Sequence, residues 1–291
     1  MKRIAVLITC YNRKDKTVSC LDKLYQAVSS TKHKVNIDVY LTDDGNDNTA
    51  EIVTALFPTV IILKGNGTLF WAGGMRNSWK EAQKKNYDGY LLLNDDTNVM
   101  ANLFDELINT HNFCMEHYSL PGIYIGSTVD ALTHRLTYGG SVFKNKFLST
   151  SMLLVPNGKV QSCDLGNGNI MLVSGSVVKK IGMLSDKYTH NIADYDYTLR
   201  AKKNGIPALI TENYCGECSN DHVNKYEHFQ MMSISQRIKF INSPLGFAFP
   251  DTLKYMKENF PYRWPFVFIS GWFKVFFPTI YIQINKLRYK K

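Results

Sequence analysis

The sequence predicts an α/β fold, a mainly parallel sheet flanked by helices on both faces. Two observations carry that prediction. Over the first hundred residues, short apolar runs alternate with patterns of helical period in the order β-α-β-α-β-α-β, and parallel strands need such crossovers. Each apolar run also ends in a polar cluster, and ligands of such sheets bind beyond the carboxyl ends of the strands. Size agrees: 291 residues with 45% hydrophobic content can bury a large core and are too apolar for a disordered chain.

The elements follow in order. "IAVLITC" (4–10) reads as a buried strand. "TVSCLDKLYQAV" (17–28) places Val18, Leu21, Leu24, Tyr25 and Val28 on one helical face. "VNIDVYLT" (35–42) is the next strand. "NTAEIVTALF" (48–57) reads as a helix with Asn48 as cap and Glu51 three residues on, a capping-box pattern. "VIILK" (60–64) is a strand, "MRNSWKEAQKKN" (75–86) a helix and "GYLLLND" (89–95) a strand. Beyond residue 100 a helix at 102–117 leads into short β-like pieces between 122 and 182, then into helical patterns around 194–204 and 225–241. The expected organisation is a first half, 1–100, that binds a ligand at the strand ends. A second half of the same domain, 101–225, carries the remaining chemistry, and a helical, aromatic extension follows at 226–291.

The four strand ends carry Thr9, Tyr11 and Asn12; Asp43, Asp44 and Gly45; the glycine-rich "KGNGTLFWAGGMRN" (64–77) with Arg76; and Asn94, Asp95 and Asp96. Helix capping and contact with water explain any one of these clusters, but poorly explain all four on one sheet edge. Adjacent carboxylates repel unless a positive group shares their charge. Two of them at a strand end can hold a divalent cation such as Mg²⁺ or Mn²⁺, which bridges to phosphate. The P-loop pattern GxxxxGK[ST] is absent, and the first strand runs into "TCYNRKD" in place of a GxGxxG turn. A nucleotide-activated sugar suits the acids better than an NTPase or dehydrogenase substrate. A nucleotidyltransferase shares the sheet, but its glycine-rich loop after the first strand is missing.

Five blocks, in this order and at these spacings, resemble the inverting family 2 glycosyltransferases: "ITCYNR" (8–13), "LTDDGNDNTAEI" (41–52), "GNGTLFWAGGMRN" (65–77), "YLLLNDDT" (90–97) and "VSGSVVKKIGMLSDKYTHNIADYDYTLRAKKNG" (173–205). The glycine-rich block and "LLLNDDT" are most similar to the branch of rhamnosyl- and galactofuranosyltransferases that build bacterial surface polysaccharides. The resemblance implies a GT-A fold, which is Rossmann-like, and a nucleotide-sugar substrate with a glycan or lipid-linked acceptor. It implies that Thr9 and Tyr11 line the base and ribose pocket, that Asp44 contacts the pyrimidine, and that Arg76 lies near base and phosphates. Asp95 would contact ribose and Asp96 would bind the metal, Mg²⁺ or Mn²⁺. Asp194 corresponds to the catalytic base of the late block, and Ala193 stands where the family has a glutamate. His222 matches a further metal ligand of many GT-A enzymes. Read from the residues alone, Asp194 or Asp196 could instead cap the helix bearing Leu199 and Arg200, and His222 could be an ordinary surface or core residue. Trp71 and Trp79 could stack on sugar rings; the helical pattern around Trp79 favours the core. The alternative to an enzyme is a catalytically silent sugar-nucleotide-binding or scaffold subunit of a polysaccharide assembly complex.

Charge and thiols bound the setting. The formal net charge is +9, which suits nucleic acid, an anionic small molecule or an anionic membrane. No nucleic-acid motif appears. "MKRIAVLITCYN" is not a signal peptide, so a cytoplasmic setting with free thiols is expected, and Cys215–Cys218 is a weak zinc signal. The tail "FPYRWPFVFISGWFKVFFPTIYIQINKLRYKK" (260–291) is crowded with aromatics and ends in cations. It reads as an interfacial segment on the inner face of the cell membrane. A spanning helix, a homo-oligomer contact or a core segment stay open. The five blocks end before the tail, so the catalytic centre is expected not to need it.

Overall fold

Residues 1–219 and 225–289 are described by a computed structural model of the chain. The first half runs β1 (Arg3–Cys10), α1 (Lys14–Ser30), β2 (Asn36–Asp43), α2 (Thr49–Leu56), β3 (Ile61–Lys64), α3 (Phe70–Ala82) and β4 (Gly89–Leu93). The second continues β5 (Asn98–Val99), α4 (Leu103–Tyr118), β6 (Ile123–Val129), β7 (Leu136–Tyr138), β8 (Gly140–Asn145), β9 (Thr150–Leu153), β10 (Gln161–Ser162), β11 (Leu165–Gly166), β12 (Ile170–Ser174), α5 (Gly175–Ile181), α6 (Ala193–Lys203) and β13 (Ala208–Glu217). Helices α7 (Lys225–Met231), α8 (Ile234–Asn242), α9 (Phe249–Asn259), α10 (Trp264–Phe276) and α11 (Pro278–Tyr289) close the chain.

The main sheet has the order β10-β13-β6-β12-β4-β1-β2-β3. Strands β1 to β4 are mutually parallel, and β12 enters antiparallel between β4 and β6. All five residues of β4 are buried, as expected of a central strand covered on both faces. The register pairs Cys10 with Asp43 and Leu7 with Leu92. It therefore draws the ends of β1, β2 and β4 to one edge. Strands β11, β8 and β9 form a separate small sheet.

One core cluster lies on each face of the main sheet. Trp79, Tyr90 and Tyr197 pack on one side, and Leu21, Leu24, Phe104 and Leu107 on the other. Trp79 is fully buried, in keeping with its helical pattern. The buried face of α1 is Thr17, Cys20, Leu21, Leu24 and Ala27, with Val18, Tyr25 and Val28 only partly covered.

Several local expectations are corrected. Asn48 makes no side-chain cap and sits at φ 61°. Asp43 takes over, accepting from the Ala50 N–H at 3.1 Å, because the end of β2 already points at the start of α2. Helix α3 begins at Phe70, five residues before the helical pattern suggests, so Gly73 and Gly74 belong to it. A Cβ on Gly74 would come within 2.0 Å of Thr9 Oγ1. The glycine is there for helix-on-strand contact. The pattern at 225–241 is two helices, divided where Ser233 forms a capping box with Gln236. The tail is not separable either. Phe260, at the start of 260–291, is buried in the main core. Helices α7 to α10 share a further core around Phe229, Ile241, Phe249 and Val275. Among the described residues, no helix is long and apolar enough to cross a membrane.

Candidate active site

Asp95 and Asp96 follow β4 after Asn94, and Arg13, three residues past the end of β1, lies beside them as a positive group. Its Nη1 lies 2.7 Å from Asp96 Oδ2 and 3.5 Å from Asp95 Oδ1. Asp95 is buried, and among the described residues its Oδ2 has no hydrogen-bond partner. Burial first, and then the charge of Asp96, push its carboxyl up to about 7, against the pull of Arg13. A cleft of about 310 Å³ opens beside Asp96, lined also by Asp15, Lys16, Ser19 and Cys218.

A bridge of side chains leads from this pair to Asp194. Trp71 Nε1 donates to Asn94 Oδ1 at 2.7 Å, and Asn94 Nδ2 donates to Asn169 Oδ1. The far edge of the same indole lies against Gly168: a Cβ there would be 2.5 Å from Trp71 and 3.5 Å from the Asp194 Cβ. Asp194 sits in the first turn of α6 and is buried. Its Oδ2 accepts from the Gly168 N–H at 2.8 Å and its Oδ1 from the Tyr195 N–H at 2.9 Å. Burial raises its carboxyl to about 6, although those N–H groups pull it down. Each oxygen keeps a lone pair, so Asp194 can still take a proton.

Strained backbone surrounds this bridge. Asn12, Phe70 and Ile192 all adopt positive φ, at 52°, 52° and 75°. For β-branched Ile192 this is a true outlier. Such strain costs on the order of 1–3 kcal/mol per residue and gathers where surrounding structure fixes a functional geometry.

The other singled-out residues have distinct places. Thr9 packs on Gly74 of α3, and Tyr11 is exposed just past β1. Asp44 is buried, and its carboxylate accepts from four backbone N–H groups, those of Asn66, Gly67, Leu69 and Phe70, at 2.7 to 3.3 Å. These fill the lone pairs it has, so it anchors the glycine-rich segment. Arg76 is not brought to the acids; its Nη1 donates to the carbonyls of Ser185 and Tyr188. That bracing positions the segment leading to α6. Asp196 is held by Tyr188 and Asn259. Ala193 is fully buried in the main core, where a glutamate would lose its hydration. His222 lies outside the described residues. Cys215 and Cys218 are buried and not joined in a disulfide.

Reading the residues one by one placed Asn94 at the strand-end cluster but missed Arg13, Gly168 and Asn169 as parts of the site. Arg13 was visible as a cation just past the first strand, within "ITCYNR". "NGN" (167–169) before an apolar strand was a turn signal, with nothing local to tie it to Asp194.

Among the described residues, no group of three or more His, Cys, Asp or Glu side chains forms a metal cage. Two carboxylates, one with an unpartnered buried oxygen, fit a cation that takes its other ligands from water and a diphosphate, as Mg²⁺ and Mn²⁺ do.

Comparison with known proteins agrees with this architecture. A crystal structure of residues 1–349 of S. aureus TarS is similar in fold, with a TM-score of 0.51 and 12% identity over 86% of this chain and 68% of that one. No curated protein matches the chain. Residues 5–162, more than half of the sequence, match the model of glycosyl transferase family 2. The chain belongs to glycosyl transferase family 2.

Proposed function

We propose that this glycosyltransferase moves a sugar, with inversion, from a UDP- or dTDP-sugar to a hydroxyl of a glycan or lipid-linked acceptor in bacterial surface polysaccharide synthesis. One observation carries the reading. The Trp71 indole spans from Asn94, beside an acid pair with an unpartnered buried oxygen, to Gly168, beside a buried carboxylate raised to about 6. A diphosphate at the first station and an acceptor hydroxyl at the second put a sugar between them.

In this reading Asp194 takes the proton of the hydroxyl as its oxygen bonds to the anomeric carbon. The bond from that carbon to the diphosphate oxygen breaks on the opposite face, and its electron pair leaves with the diphosphate. Asp95 and Asp96 would hold Mg²⁺ or Mn²⁺, and the bound ion supplies positive charge to the leaving diphosphate. Arg13 adds a fixed cation at the same end. Asp44 shapes the nucleotide end indirectly, by holding segment 66–70 in place.

The test is a thermal-shift screen of UDP- and dTDP-sugars with and without Mn²⁺, with dTDP-rhamnose and UDP-galactofuranose first among them. A bound nucleotide sugar at 100 times its Kd should stabilise the protein by about 2.7 kcal/mol. Hydrolysis of that sugar, read by NMR, should release the inverted anomer. Binding without hydrolysis or transfer would favour a silent, scaffolding subunit, and no binding at all would contradict the reading.

A further inference from the structure

We infer that the outer faces of α10 and α11, together with the tip of the β8–β9 hairpin, form a surface that lies on an anionic lipid bilayer. This goes beyond the transfer reaction and does not depend on it.

Helix α10 is apolar on both sides. Gly271 and Val275 are buried toward Phe249, Phe229 and Ile241. The opposite side would be polar if water were its only neighbour. It carries Phe266, Ile269 and Phe276, exposed by 66%, 65% and 52%. The stripe runs on through Phe277, between the two helices, and Ile280 and Ile284 of α11, all exposed. Exposed apolar patches of several hundred Å² mark interaction sites.

The hairpin extends the same surface. Tyr262, at the start of the stripe, stacks on Phe147 at 4.9 Å and donates to the Lys146 carbonyl. Phe147, Leu148, Lys144 and Lys146 are all exposed at that tip.

Charge selects the occupant. The chain has 25 Asp and Glu residues, yet segments 131–163 and 259–291 contain none and share ten of its 34 lysines and arginines. The contact of Tyr262 with Phe147 joins these two acid-free segments. The nearest acids on α9 are engaged elsewhere: Asp251 accepts from the Thr189 N–H, and Glu258 pairs with Lys187. A second copy of the chain would bring cations against cations. An anionic headgroup layer complements them, while Phe and Ile enter the acyl boundary. Lys274 is no headgroup contact; its Nζ lies over the rings of Phe247, Tyr281 and Tyr226 at 4.0, 5.0 and 5.5 Å, which pins α10 and α11 to the body.

The experiment is co-sedimentation of the full chain with vesicles of phosphatidylcholine, alone or mixed with equal parts phosphatidylglycerol. Binding is expected only to the anionic vesicles, and it should fall as salt rises. The variant Phe266→Ser/Ile269→Ser/Phe276→Ser should lose binding at least about tenfold, since each change removes exposed apolar surface. The variant Lys144→Gln/Lys146→Gln should weaken it roughly fivefold per lysine, and these side chains stand clear of any core. Melting curves establish that both variants are folded. A full chain that ignores anionic vesicles at low salt overturns the proposal. So does sedimentation velocity showing a dimer that the triple variant dissociates while vesicle binding persists.

Discussion

Two strands of the parallel sheet end in a pair of adjacent acids, and the two pairs have opposite surroundings. After β2, Asp43 accepts from the Gly45 and Ala50 N–H groups, and Asp44 from four N–H groups of segment 66–70. After β4, Asp95 and Asp96 face the Arg13 guanidinium, and Asp95 Oδ2 has no partner among the described residues. Two neighbouring acids are therefore not a site in themselves. Where the following chain supplies N–H groups, the pair is an anchor. Gly65 permits this at Asp44, because a Cβ there would fall 2.3 Å from Asp44 Oδ1. Where a half-exposed arginine faces the pair and one buried oxygen has no partner among the described residues, the pair remains available to a ligand.

The largest predicted effect sharpens the contrast by adding a third carboxylate with a third role. Asp194→Asn should keep the fold and nucleotide-sugar affinity but lower turnover by about 10²- to 10⁴-fold, the scale of losing a general base. Steady-state kinetics beside a calorimetric titration reads both. Near-normal turnover would move the base elsewhere, with Asp196 next in line.

Exchanging the two pairs should give opposite phenotypes. Asp44→Ala strips acceptors from four backbone N–H groups and should cost about 3 kcal/mol, read as a Tm fall of roughly 5–10 °C. Asp96→Ala should leave Tm nearly unchanged and abolish the cation dependence of nucleotide-sugar binding. The reverse pattern would break the distinction between anchor and site.

Acidity gives a smaller effect. Asp194 must be ionised to act, so kcat/KM should fall tenfold per pH unit below about 6. Its raised carboxyl also means that the folded state holds the proton more tightly than the unfolded one. The stability from this group is present below the ordinary carboxylate range and is lost as pH rises through about 6. Chemical denaturation of Asp194→Asn should show a flatter slope across that window, and an unaltered slope would contradict the assignment.

The order of the first half was legible because its strands are continuous apolar runs and its helices repeat at helical period. The start of α3 was not, because Gly73 and Gly74 look like loop residues until Thr9 is seen packed against Gly74. The fates of the acid pairs were hidden for a related reason. The groups that satisfy Asp44 begin 22 residues later, and the Gly168 N–H that meets Asp194 comes from 26 residues earlier. Local pattern names the acids, but only tertiary placement says what they touch. The contact between the hairpin and the tail, 116 residues apart in the chain, was illegible on the same ground.

The smallest predicted effect comes from Arg13→Ala. Removing this half-exposed counter-charge should tighten binding of Mn²⁺ alone by roughly fivefold, matching an ion pair worth about 1 kcal/mol. Isothermal titration without nucleotide measures it, and weaker Mn²⁺ binding would place the ion away from the pair.

The central claim is that Asp95 and Asp96 form the ligand-facing pair, and calorimetric titration of UDP and dTDP into the wild-type protein and Asp96→Ala tests it most directly. In the wild type, one of the two nucleotides should bind tightly only when Mn²⁺ or Mg²⁺ is present, and Asp96→Ala should lose that cation-dependent gain while melting at the same temperature. Nucleotide binding that is indifferent to the cation in the wild type, or equally cation-dependent in Asp96→Ala, would contradict the account.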